Sequence, residues 1–207
     1  MISLESGAIL ILSGPSGCGK STLLKELYKS VNKYYFSIST TTRLPRVGEQ
    51  NGVDYFFVTK EQFEEGIQKG EFLEYAEVHG NYYGTSLKPI LLALEENKLV
   101  IFDIDVQGQD IVKKSELNRY VTSVFITTPS LEVLKNRLYS RATDSNDVIE
   151  KRVRNAVIEI NSIDKYDYII INDDLQKASL ELVSVARSAM LKTSLFSKDH
   201  IVSKWLN

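Results

Sequence analysis

Nine residues, GPSGCGKST from Gly14 to Thr22, restrict this 207-residue chain more than any other stretch. Gly14 and Gly19 have four residues between them and lead into Lys20 and Ser21, so every fixed position of the phosphate-loop pattern G-x-x-x-x-G-K-[ST] is filled. Such a loop belongs between a buried strand and a helix. Its glycines turn backbone N–H groups inward onto phosphate oxygens, and the helix behind adds the positive end of its dipole. Both flanks agree: AILILS over residues 8–13 reads as a buried parallel strand, and Leu23, Leu24, Leu27, Tyr28 and Val31 then recur at helical spacing. The expected occupant is a nucleoside triphosphate, cradled by Gly14, Pro15, Ser16, Gly17, Cys18, Gly19 and Thr22. Lys20 would reach the terminal phosphates and Ser21 would ligate Mg2+.

A chain of this length fits one compact α/β domain with insertions. Net charge is −2, which argues against general affinity for polymeric nucleic acid. No apolar run approaches the roughly 20 residues of a membrane span, and no signal pattern is apparent at the N-terminus. Cys18 is the only cysteine, so no disulfide can form within the chain, and a cytoplasmic location is expected.

After a second expected strand over residues 34–38, the pattern changes. Residues 39–46 (STTTRLPR) read as a polar segment, residues 53–58 (VDYFFV) as a strand, and Thr59 with Gln62 as a capping box for a short helix stopping near Gly70. Residues 72–78 (FLEYAEV) form another strand. Period-two alternation places Glu74 on one face with Phe72, Ala76 and Val78. Residues 79–84 (HGNYYG) read as a turn leading to a helix capped by Thr85 or Ser86. The α/β alternation then resumes, with a strand over residues 99–105 carrying Asp103 and Asp105 at its end and a strand over residues 121–126. A helix after Pro129 follows, with Leu131, Leu134 and Leu138 inward. A second helix runs to about Ile163, residues 168–171 form a last central strand, and a long helix turns Leu175, Ala178, Leu182, Val185 and Ala189 inward. The sequence assigns no structure beyond about Lys192. The expected architecture is a doubly wound parallel sheet interrupted by two insertions.

Several side chains carry chemistry in this frame. Arg43 and Arg46 fit a phosphate clamp, with solvated loop arginines as the alternative. Glu74 either pairs at the surface or accepts the paired ring N–H and amino donors that guanine presents, with Ser39 and Thr85 on the ring oxygen. Asp103, at the end of a central strand, is the natural acidic partner of Ser21 at Mg2+. Asp105 could face metal or acceptor, or simply begin a helix. Arg137 and Arg141, with Arg152 beyond a polar break, suit a flap that closes on a transferring phosphoryl group.

The order and spacing of GPSGCGKST, STTTRLPRVGE, NGVDYFF, GEFLEYAEVHGNYYGTS, FDIDVQG, the lid's RL-x-x-R and IIINDD resemble the guanylate kinases over most of the chain. The resemblance implies ATP and GMP as substrates with Mg2+. It implies a nucleotide-binding core of residues 1–38, 87–126 and 164–207, a GMP-binding insertion of residues 39–86 and a lid of residues 127–163. It also implies an acceptor site in which Arg43, Arg46, Tyr55 and Tyr83 meet the phosphate and Ser39, Glu74, Thr85 and Asp105 face the base. Lys20, Arg43 and the lid arginines Arg137, Arg141 and Arg152 would serve catalysis, and Asn172 falls where the family contacts adenine. Ala142 departs from the glycine usual after the second lid arginine. Modification of Cys18 would be expected to block the cradle. Two alternatives remain at this stage, a phosphopeptide-binding module of the same fold and a kinase for another monophosphate or phosphorylated sugar.

Overall fold

The computed structural model describes residues 6–78, 80–140 and 145–206. Its core is a five-stranded, wholly parallel sheet of β1 (Ala8–Ser13), β2 (Tyr34–Phe36), β7 (Leu99–Asp103), β8 (Val121–Thr127) and β9 (Tyr168–Ile171), in the order β2-β7-β1-β8-β9. Both faces of β1 are buried, which explains its unbroken apolar sequence. Leu10 and Leu12 pack with α1 (Lys20–Ser30) and α7 (Leu175–Ala189), while Ile9 and Ile11 pack with α3 (Leu87–Glu95) and α4 (Val106–Lys114). Helices on both faces of a parallel sheet are the doubly wound arrangement expected from the sequence. Helices α5 (Leu131–Ser140) and α6 (Asn146–Glu159) add Leu134, Leu138, Ile149 and Ala156 to the α1 side of the core.

A second, four-stranded sheet in the order β4-β3-β6-β5 lies within residues 39–86. It comprises β3 (Thr40–Thr41), β4 (Phe56–Phe57), β5 (Phe72–Val78) and β6 (Asn81–Ser86), with α2 (Lys60–Gln68) beside it. The capping box at Thr59 forms in full: Gln62 N–H donates to the Thr59 hydroxyl at 3.2 Å, and Thr59 N–H donates to the Gln62 side chain at 2.9 Å. Phe63 of α2 then stacks on Phe72 and Tyr82 at centroid distances of 4.2 and 5.2 Å.

Several expected elements differ from the structure. Polar residues 39–46 contain β3, whose two threonines are buried because they pair with both β4 and β6. The strand expected over residues 53–58 shrinks to Phe56–Phe57, and the second core strand stops at Phe36. The expected turn at residues 79–84 is mostly β6, paired antiparallel with β5. Residue 79 lies outside the described residues. A bulge between Phe72 and Glu74 breaks the period of two, so Phe72 leaves the face of Glu74 and stacks on Phe63. β7 ends at Asp103, and Asp105 caps α4. β9 is an edge strand, with Ile169 and Ile171 exposed. Leu131 and Leu175, at the first positions of α5 and α7, are also exposed. α6 ends at Glu159 and continues as a 3-10 turn over Ile160–Lys165. Beyond Lys192, α8 (Lys198–Leu206) follows a short 3-10 turn.

Candidate active site

The phosphate loop leaves β1 through Gly14, whose φ is 144° and whose missing Cβ would lie 1.9 Å from the Ile126 carbonyl oxygen. No other residue fits against β8 there. Gly19 caps α1 in the left-handed region with φ 98°, and a Cβ would stand 2.3 Å from the Asn172 amide nitrogen. The first turn of α1 carries no acidic residue and no side-chain cap, which leaves its N–H groups available to an anion. Lys20 lies over the loop: its Nζ donates to Gly14 O at 2.6 Å and stands 3.8 Å from Asp103 Oδ1. Burial raises the Asp103 carboxyl above the usual carboxylate range, and Lys20 opposes that shift. Ser21 and Thr22 are exposed at the helix start.

Cys18 is fully buried, and its backbone carbonyl organises the neighbourhood. It accepts from Asn172 Nδ2 at 2.8 Å and from Arg137 Nη1 at 3.5 Å, while Arg137 Nη2 donates to Asn172 O at 2.8 Å. Asn172 therefore uses its side chain to hold the loop, at the edge of a cleft of about 290 Å3 that Gly17, Gly19, Thr22, Arg137 and Asp173 also line. Arg137 is docked on the loop, and Arg152 Nη1 donates to Ser16 Oγ at 2.9 Å. Arg137 and Arg152 thus both contact the loop. Arg141 and Ala142 lie outside the described residues.

Burial also raises the Cys18 thiol, the largest of several causes, so the reactive thiolate is scarce. Modification at Cys18, which the sequence leads one to expect would block the cradle, is therefore expected to be slow. Native protein is expected to react with a thiol reagent at least about tenfold more slowly than the unfolded chain. Equal rates, followed by absorbance of the released chromophore, would show that the loop opens freely.

The second sheet brings another group together. Glu74 and Thr85 are paired across β5 and β6, and the Thr85 hydroxyl donates to Glu74 Oε1 at 2.6 Å. Tyr83 lies two residues from Thr85 and so on the same face, and its ring meets Tyr55 at 6.1 Å. The Arg43 guanidinium sits 5.3 Å from the Tyr55 ring centre and 5.8 Å from that of Phe57. Its Nη2 donates to Glu49 Oε1 at 2.8 Å. This bond is the main reason that the Arg43 guanidinium is raised and Glu49 held below the usual carboxylate range. Arg46 is exposed, and its backbone N–H donates to the other Glu49 oxygen at 2.7 Å. Glu49 escaped the sequence reading, although it closes the STTTRLPRVGE segment within reach of both arginines. Ser39 supplies its carbonyl to Phe56 N–H.

Asp105 caps α4, its carboxylate accepting from Gln107 and Gly108 N–H at 3.0 and 2.9 Å. The helix-start alternative therefore describes its present contacts. Ser21 and Asp103 offer hard oxygen ligands beside the loop, a set suited to Mg2+ held mainly by nucleotide phosphates and water. Among the described residues no three His, Cys, Asp or Glu side chains gather closely enough to hold a metal by themselves. No described helix is long and apolar enough to cross a membrane.

Comparison with known proteins gives this arrangement a lineage. The family model described as guanylate kinase matches residues 6–189. A guanylate kinase of Wolinella succinogenes is 50% identical over 97% of this chain and 93% of its own length. One from Helicobacter pylori is 51% identical over 96% of both. Among solved structures, the guanylate kinase from Anaplasma phagocytophilum is 32% identical with a TM-score of 0.69, covering 94% of this chain and 92% of its own.

Proposed function

The chain belongs to the guanylate kinase family, and from that premise we infer that it transfers the γ-phosphoryl group of ATP to GMP, giving ADP and GDP. The observation that carries the reading further is the separation of two polar sites on two sheets. The phosphate loop stands at the end of the core sheet, and the Glu74–Thr85 pair lies on the inserted sheet with Arg43, Tyr55 and Tyr83.

We assign residues 39–86 to GMP binding, residues 127–163 to a lid, and residues 1–38, 87–126 and 164–207 to the ATP-binding core. Glu74 and Thr85, together with Ser39 and Asp105, read the guanine. Arg43, Arg46, Tyr55 and Tyr83 bind the GMP phosphate, and Glu49 holds Arg43 for that task. The loop from Gly14 to Thr22 binds the ATP phosphates, and Asn172 keeps that loop in place beside the adenine cleft.

An oxygen of the GMP phosphate attacks the γ-phosphorus, the bond from that phosphorus to the β–γ bridging oxygen breaks, and the electron pair leaves on ADP. No side-chain base is needed, because a phosphate monoester with a second pKa of about 6 is largely deprotonated near neutral pH. Lys20 leaves Gly14 O for the terminal phosphates, while Arg137, Arg141 and Arg152 surround the transferred group and the closed lid keeps water from competing. Ser21 and Asp103 would hold Mg2+, which would supply neutralising positive charge to the transferring phosphates. A single cysteine is in keeping with the cytoplasmic setting we propose.

A coupled assay with ATP and each of GMP, AMP, CMP and UMP tests this reading. GMP is expected to be the preferred acceptor by at least about a hundredfold in kcat/KM. Turnover of AMP as fast as GMP would remove the guanine assignment, and turnover of none would favour phosphopeptide binding instead.

A further inference from the structure

Five buried side-chain oxygens lack a hydrogen-bond partner among the described residues. Two of them, on Ser6 and Asn97, lie where β1 and β7 begin. The other three, Ser13 Oγ, Gln109 Oε1 and Tyr166 Oη, belong to the opposite end, behind the phosphate loop. Ser13 and Gln109 are both fully buried. An orphaned buried oxygen is costly, and three in one neighbourhood point to something that satisfies them together.

The surrounding contacts show where this neighbourhood sits. Tyr166 follows the 3-10 turn by which the lid returns to the core. Its two neighbours in sequence are firmly held. The Lys165 carbonyl accepts from Gln109 Nε2 at 3.2 Å and from Lys113 Nζ at 2.7 Å, and the Asp167 carboxylate accepts from the N–H and hydroxyl of Ser123, both at 2.8 Å. The Tyr166 ring meets Phe125 edge-on at 5.2 Å, and Phe125 is the β8 residue directly opposite Ser13. The Ser13 and Tyr166 hydroxyls approach one another without closing a hydrogen bond of good geometry. Gln109 brings in α4, whose first turn is capped by Asp105.

We propose that Tyr166 is a positioning residue for phosphoryl transfer, and that Ser13, Gln109 and Tyr166 share a buried water that joins the base of the phosphate loop to the fixed end of the lid. A water accepting and donating among these three groups meets the requirement of two to four polar partners for internal hydration. Ser13 immediately precedes Gly14, whose carbonyl holds Lys20, so the joint lies one residue from the cradle. It also lies next to the segment from which α6 carries Arg152 to Ser16. Burial raises the Tyr166 phenol to about 12, which keeps it neutral and able to donate at physiological pH. The lid's closed position is thereby registered against the loop.

The kinetic half of this proposal rests on the phosphotransferase reading, and the structural half does not. A crystal structure of the whole chain, at a resolution that shows water, is expected to place an ordered water within hydrogen-bond distance of all three oxygens. Tyr166→Phe keeps the ring on Phe125 and leaves the water its Ser13 and Gln109 partners, so its melting temperature should stay near that of the parent. Its kcat is expected to fall about fivefold with both KM values within about twofold, because lid placement affects the transfer step more than ground-state binding. Ser13→Ala should act similarly, and the double variant should be no worse than the poorer single one. A dry joint overturns the proposal, as does an unchanged kcat in Tyr166→Phe or a loss confined to stability. Failure of the parent protein to phosphorylate GMP would instead refute the assigned reaction and leave the water observation intact.

Discussion

Lys20→Ala is expected to lower kcat about 10²- to 10³-fold in the ATP and GMP assay, while the protein remains folded. Lys20 is the one cation of the loop itself, and its Nζ is already oriented by Gly14 O at 2.6 Å and by Asp103 at 3.8 Å. Charge on the γ-oxygens and on the bridging oxygen grows as the bond to ADP breaks. A cation that swings from Gly14 O onto those oxygens stabilises the transition state more than the ground state. The KM for ATP should therefore rise much less than kcat falls. Removing Lys20 also takes away the charge that opposes the upward shift of Asp103, so the carboxyl should move further above the carboxylate range. Circular dichroism and thermal melting of the variant separate the kinetic loss from misfolding. A kcat within about threefold of the parent would contradict the assignment of the cradle.

How much of this was readable from the residues depended on how local each cause was. The loop, β1 and α1 followed from nine residues and their flanks, because glycine geometry and helix polarity act over a few residues. The capping box of α2 was equally local. β9 shows the opposite case. YIII has the composition of a central strand, but its place is set by which strands remain unpaired, and the structure puts it at the edge with Ile169 and Ile171 exposed beside α7. β3 is only two residues long and polar in sequence, and it exists because β4 and β6 supply its hydrogen bonds. The bulge after Phe72 was hidden for a similar reason, since an extra residue in one strand appears only against its partner.

The site divides along the same line. Residue types and order pointed to Lys20, Arg43, Glu74 and Arg137, yet the present partners of the arginines were not visible. Arg137 bonds backbone carbonyls at Cys18 and Asn172, and carbonyls carry no sequence signal. Glu49 could have been found as the first carboxylate after Arg43 and Arg46, six residues beyond Arg43. Tyr166 had no such signal. Its hydroxyl belongs to a group of buried oxygens that only packing brings together.

Glu74→Gln is expected to lower kcat/KM for GMP about 10- to 150-fold, from the loss of a charge-assisted hydrogen bond of about 1.5–3 kcal/mol. The Thr85 hydroxyl donates to Oε1 at 2.6 Å, which leaves Oε2 and the remaining lone pairs for a ligand. Guanine offers two adjacent donors, its ring N–H and its amino group, and a carboxylate can accept both. A glutamine amide offers one acceptor and one donating NH2. Whichever way it turns, one guanine donor faces another donor or loses its partner, even if the Thr85 hydroxyl rotates to accept. The same amide matches adenine, whose edge presents an acceptor next to an amino donor, as in bidentate glutamine contacts to that base. The preference for GMP over AMP should therefore narrow by more than the loss on GMP alone, because activity with AMP rises from its own low level. Steady-state kinetics with both nucleotides, at saturating ATP, measure the two changes separately. If kcat/KM for GMP stays the same, Glu74 does not read the base and serves only as the cross-strand partner of Thr85. Thr85→Val would then alter the melting temperature without altering nucleotide preference.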